Sequence, residues 1–449
     1  MGWGIRGQYG HETGAMIAGL LVSLTLGFLF CDRFDRDGFV RVVAWGTLAM
    51  GFGGSMTYGQ TIGLTQDAPL VGNWEALRWG MLGLAIKGSV WIGFTGVFLG
   101  MALGGKQYKP LEITVIMFCM IGASFFGAWL LNSPHDPANQ QLPWIYFSDH
   151  WFWEPDGTLK HRRESWGALW AALLVALFYV VTFKKDRMAL NLALWGLIGG
   201  AIGFPAGQCL QASHAWNPSW YDNGYFSFIT AHFNWWNMME TAFGTVMGAC
   251  LGLGVWLNRH RIVPPESKSL ELPAPLVIAL VLGHVTMLCC VEFLGIDWID
   301  RAYDFGLCAA LIPMIATIST RWWPYLQIFP VTLLPIAGKT VRHLVYRDPE
   351  PMSPWLGWSC FFAVPLAIAV TWAVRAASRR RLSNFHRRSL IGCVWIYFGL
   401  NLAIFDFPMP WKEVTSRTPN AVLFLVAATA LTLIGFRRRG VESGRNDDA

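Results

Sequence analysis

The chain has 449 residues, 54% of them hydrophobic and 14% charged, with a formal net charge of +6 and 25 tryptophans. A soluble domain carries roughly a quarter charged residues, so this composition excludes a set of soluble domains, and apolar runs of about 20 residues recur from end to end. The positive balance calls for no nucleic-acid partner, because Lys and Arg cluster in short connections, as membrane topology demands.

In chain order, candidate spans fall at 12–30, 39–64, 75–104, 112–132, 164–183, 188–211, 240–257, 275–295, 303–319, 324–339, 355–375, 389–406 and 420–436. Segments of this length close their own backbone hydrogen bonds as helices. The expected fold is therefore all-α, a polytopic integral membrane protein of about thirteen transmembrane helices. A segment at 259–274, with Pro264-Pro265 and Pro273, reads as a linker between a bundle at 1–258 and a second bundle at 275–437, and 438–449 is a tail. The first run has no Lys/Arg-rich leader and no small-residue cleavage site, which makes it a retained helix and not a signal peptide.

The N-terminal half carries tandem helical hairpins. Its opening stretch, residues 2–15, sets Gln8, His11 and Glu12 against an apolar run. A Gln end followed by a Glu-led helix returns at Gln60 with Glu75 and at Gln208 with Glu240, and a weaker copy pairs Asn132 with Glu164. The first unit lacks an outgoing helix, so the start codon is expected to be set too late, with one more apolar span encoded upstream. Connections on one side hold 22 of the 34 Lys and Arg. That bias places them in the cytoplasm, with the protein in the cell (inner) membrane, the hairpin tips and N-terminus outside and the C-terminus in the cytoplasm.

Glu12, Glu75, Glu164 and Glu240 are expected at helix starts, where the helix dipole alone favours an acid. Their second reading is a ring of carboxylates, joined by Gln8, Gln60 and Gln208, around one outward-facing cavity. Lys87 stands twelve residues past Glu75, about 18 Å along a helix, where a charge is costly and marks function. His284 is a second intramembrane polar candidate. Gly203-Phe204-Pro205-Ala206-Gly207 is expected to break its helix, as discontinuous helices do at transport sites, while most other glycines suit close helix packing. The tip loops are dense in aromatics, with Trp144, Tyr146, Trp151 and Trp153 in one and Trp235 and Trp236 in another. These residues suit either an interfacial belt or the apolar faces of sugar rings.

Nine cysteines without a C-x-x-C pair, and His11-Glu12 without a second His, give no disulfide framework and no metal site. No P-loop, nucleotide fingerprint or G-x-S-x-G elbow is present, so no cofactor is expected. The leading expectation is a carrier (permease) for a polar solute, with a sugar or sugar derivative as one candidate. Its binding residues would be Gln8, Glu12, Gln60, Glu75, Lys87, Glu164, Gln208, Glu240, Trp151, Trp153, Trp235 and Trp236. The alternatives are a membrane-embedded transferase or hydrolase acting on a glycan or lipid-linked substrate, or a non-catalytic assembly subunit. An enzyme would use Glu12 or Asp149 as general base beside His11 or His150. The lipid bilayer is the expected partner, and the second half is expected to carry few intramembrane polar groups.

Overall fold

A chain this poor in charge leaves its backbone no partner but itself, and the computed structural model is helical, with no strand among the described residues. It describes residues 1–7, 9–10, 12–54, 56, 58–148, 153, 161–264, 272–299, 307–319, 321–378, 384–404 and 417–446. Nine helices among these are long and apolar enough to cross a membrane. The protein is a helical membrane protein with several spans.

The first half opens with a short helix, α1 (Gly2–Arg6), followed by α2 (Glu12–Phe30), α3 (Arg36–Gly53) and α4 (Gly59–Gln66). Then come α5 (Trp74–Leu103), α6 (Pro110–Leu131), α7 (Trp166–Phe178, extended by a π-helical turn to Phe183) and α8 (Arg187–Trp216). Two short helices, α9 (Pro218–Tyr221) and α10 (Tyr225–His232), lead into α11 (Trp235–Leu257). The second half runs α12 (Ala274–Cys289), α13 (Leu307–Ser319), α14 (Trp323–Ile328), α15 (Pro330–Tyr346) and α16 (Pro354–Gly357). It ends with α17 (Val364–Ser378), α18 (Phe385–Ile404) and α19 (Thr418–Asn446).

Three sequence expectations change here. The run expected as a single span at 324–339 is divided at Phe329 into α14 and α15. The run expected as one span at 39–64 is two helices, because the chain leaves the helical path after Gly53 and α4 starts afresh at Gly59. Conversely, α8 runs unbroken through Pro205. There Gly203 lies close against Phe243 and Gly207 against the Met239 carbonyl of α11, so packing supports the helix where proline removes one hydrogen bond. The glycines of this region serve contact between helices.

The central contact is α5 against α8. A Cβ on Gly200 would lie 1.9 Å from the Gly88 carbonyl oxygen, and one on Gly88 would lie 2.3 Å from that of Gly200. Only two glycines permit this approach, which is the small-residue logic of helix association in lipid. Gly200→Val is therefore expected to force the helices apart and cost at least about 1–3 kcal/mol. The check is a clear fall in the thermal midpoint in detergent; an unchanged midpoint would deny this contact its structural role.

Around that pair, α11 packs on α8, α3 and α4 on α5, and α7 on α6. The second half joins through α13 against α3 and α6, and α18 against α2. One hydrophobic core runs through both halves, holding Leu24, Val43 and Trp91 together with Leu333, Tyr397 and Phe424.

Candidate functional site

The acids expected at helix starts stand in different surroundings. Among the described residues, Glu75, Glu164 and Glu240 do not line one hollow: Glu75 is exposed, and Glu164 and Glu240 are buried in separate ion pairs. A third, half-buried pair joins Glu292 to Lys339.

The first pair joins Lys87, mid-way along α5, to Glu164, whose side chains are 1% and 0% exposed. Lys87 Nζ donates to Glu164 Oε1 at 2.6 Å and to Thr61 Oγ1 of α4 at 2.7 Å. Glu164 also accepts the Phe147 backbone N–H at 2.9 Å and the Ser148 hydroxyl at 3.0 Å. A carboxylate so far from water stands only because a cation and several donors surround it. Glu164 does not start α7, as expected, but precedes it; Asn132, at the end of α6, caps α7 by accepting from the N–H groups of Gly167 and Ala168.

The second pair centres on Glu240, which lies more than a turn inside α11 and not at its start. Its Oε1 accepts from Arg6 Nη1 at 3.0 Å, the Tyr58 hydroxyl at 2.7 Å and Trp236 Nε1 at 3.1 Å. Arg6 donates to Tyr58 as well, and its guanidinium sits over Trp3, Tyr58 and Trp91 at 5.5, 5.1 and 5.2 Å. Gly7 allows the approach, since a Cβ there would lie 2.2 Å from Glu240 Oε2. The Asn237 amide donates to the Gly4 carbonyl and fastens α1 to α11.

The third pair is Lys339 with Glu292, at 2.9 Å. Lys339 also donates to the Tyr9 carbonyl and to Thr13, which ties the opening stretch to the second half. That half is more polar than expected: His284, Gln327 and Asn401 are all buried within it.

Gln208 is buried and donates to Thr65 Oγ1 at 2.7 Å, so α4 receives Lys87 at Thr61 and Gln208 one turn later at Thr65. Gln60 stands half-buried in the first turn of α4. Trp235 stacks on His214 at 4.4 Å, apart from the Glu240 cluster that Trp236 joins. Gln8, His11, Asp149, His150 and Trp151 lie outside the described residues, and of Glu12 only its place at the head of α2 is described. Neither the catalytic pairs nor the full ring can be built from what is described.

Glu75 is exposed, and the N-terminus of α5 is already capped by Asn73, which accepts from the Glu75 and Ala76 N–H groups. It lines a groove of about 690 Å³ with Arg78, Trp79, Leu82, Gln140, Leu142, Pro143, Trp144, Tyr146 and Trp153. Chain segment 146–148 separates this groove from the first ion pair: Tyr146 faces the groove, while residues 147 and 148 hold Glu164. The Phe147 ring lies on Gly83, where a Cβ would meet the Phe147 Cβ at 2.6 Å. Gly83 is one helical turn past Trp79 and one before Lys87. In the same loop, burial and the neighbouring Arg163 hold His135 below the usual imidazole range, which keeps it neutral at pH 7.

No family model, no curated protein and no solved structure matches the chain. The reading of this site rests on its own chemistry.

Arg6, Tyr58, Thr61 and Thr65 were not among the residues singled out from the sequence. Thr61 and Thr65 carried a usable signal, two hydroxyls four residues apart on one helical face between apolar residues. Arg6 carried a weaker one, a lone cation among glycines and tryptophans.

Proposed function

We propose that this chain is a multi-pass membrane carrier for a polar solute, built of about thirteen helices in tandem hairpins. The groove end faces outward and the C-terminus lies in the cytoplasm, as the Lys/Arg bias suggests. One observation supports the carrier reading above the others: an open groove of mixed charge and aromatic surface lies directly over a sealed ion pair, with one short segment between them. A vestibule above an occluded charged site is what a carrier closed toward its interior requires.

In this reading the solute collects against Glu75 and the tryptophans, and the 146–148 segment acts as the inner wall. Protonation of Glu164 would cancel its attraction for Lys87 and loosen its hold on that segment. A proton gradient would thus be coupled to opening, by a local charge change acting on a two-state element.

The test is uptake of radiolabelled sugars into proteoliposomes under an imposed proton gradient. Wild-type protein is expected to accumulate solute, Lys87→Ala to bind without accumulating it, and Phe147→Ala to become leaky as the wall above Lys87 is removed. Saturable binding by wild-type protein with no accumulation in any gradient would retire the carrier reading.

A further inference from the structure

Within the groove, Glu75 and Arg78 lie three residues apart on α5 and so share one face of it. Both are exposed, and neither is in an ion pair among the described residues. A carboxylate and a guanidinium this close would commonly pair off; here each stands ready for another partner. The helix-start explanation for Glu75 is weakened by Asn73, which does the capping.

The inner part of the aromatic wall, Trp79 and Tyr146, is fixed before any ligand arrives. Trp79 Nε1 donates to the Tyr146 carbonyl at 2.7 Å, and the Trp79 ring rests against Phe147 at 4.9 Å. The Tyr146 hydroxyl donates to the Arg162 carbonyl at 2.8 Å and accepts the Arg162 N–H at 3.1 Å. Trp144, 97% exposed, and the half-buried Trp153 complete the wall. The Trp79 and Tyr146 rings, held in this way, lose little freedom on binding, which favours affinity.

We propose that this groove binds a carboxylated saccharide, a sugar acid of one or two rings. The assignment rests on the carrier reading for its purpose but not for its chemistry. The planar fork of Arg78 matches a carboxylate with two parallel hydrogen bonds. Glu75 and the Gln140 amide accept and donate to ring hydroxyls, and the tryptophan faces take the apolar C–H side of the ring. The volume of about 690 Å³ lies in the usual range for small-molecule sites and exceeds what one amino acid fills. A neutral sugar would leave Arg78 without its anion; an amino-acid zwitterion would leave most of the aromatic wall bare.

The experiment measures binding to purified full-length protein in detergent by tryptophan fluorescence, with galacturonate, galactose and glycine as probes. Galacturonate is expected to bind about tenfold or more tightly than galactose, the value of one charge-assisted contact. Arg78→Gln should abolish that preference by weakening galacturonate at least about tenfold more than galactose, and Trp153→Ala should weaken both sugars. Equal affinity for the two sugars, an acid preference that survives Arg78→Gln, or tightest binding of glycine would each overturn the assignment. Saturable galacturonate binding without uptake would sink the carrier reading and leave this site standing. Galactose uptake indifferent to both galacturonate and Arg78 would do the reverse.

Discussion

Lys87→Met should destabilise the folded protein by about 3–5 kcal/mol, because it leaves the Glu164 carboxylate buried without its cation. The Ser148 hydroxyl and Phe147 N–H would remain as its donors, and neither carries a charge to offset desolvation. Adding Glu164→Gln should restore most of the lost stability, since a neutral amide can accept the Phe147 N–H through its oxygen and donate to the Ser148 hydroxyl through its NH2. Uptake should stay absent in the double variant, because the charge pair proposed to gate the site is gone. A double-mutant cycle on thermal midpoints in detergent, run beside proteoliposome uptake, separates the two effects. Additive stability losses would show that the pair is not coupled; uptake in the double variant would show that its charges do not gate.

The second large effect is expected at Arg6. Arg6→Ala leaves Glu240 uncompensated and empties a space between Trp3, Tyr58 and Trp91, again a loss of about 3–5 kcal/mol. Arg6→Lys should recover little of this. An ammonium has no planar fork to lie over three rings while donating to both Tyr58 and Glu240. Arg6→Met with Glu240→Gln should recover most, because Tyr58 and Trp236 keep an acceptor in the amide oxygen. Thermal midpoints of the four proteins decide the matter; equal stability of the Lys variant and wild type would mean that charge alone, and not ring contact, holds α1 in place.

Much of the architecture was legible because lipid imposes a simple code. Helices such as Pro110–Leu131 and Ala274–Leu294 announce themselves by length and apolarity. Lys87 was legible for the opposite reason, since a charge in such a run is expensive and needs a partner. Composition did not reveal that the 39–64 run breaks between Gly53 and Gly59 while the run through Pro205 holds. Both segments combine glycine with apolar residues, and the difference lies in their neighbours: α11 supports α8 from the Met239 and Phe243 side.

The acids show the same division. The sequence marked Glu75, Glu164 and Glu240 as one repeating feature, and spacing alone made them equivalent. Folding gives each a different role: Glu75 is open to the groove, Glu164 neutralises Lys87, and Glu240 neutralises Arg6. Those partners lie 77 and 234 residues away. Local pattern tells which residues leave water, because transfer into lipid depends on each side chain's own chemistry. It does not tell which charge meets which, because a Coulomb contact between distant segments exists only once the helices between them have packed.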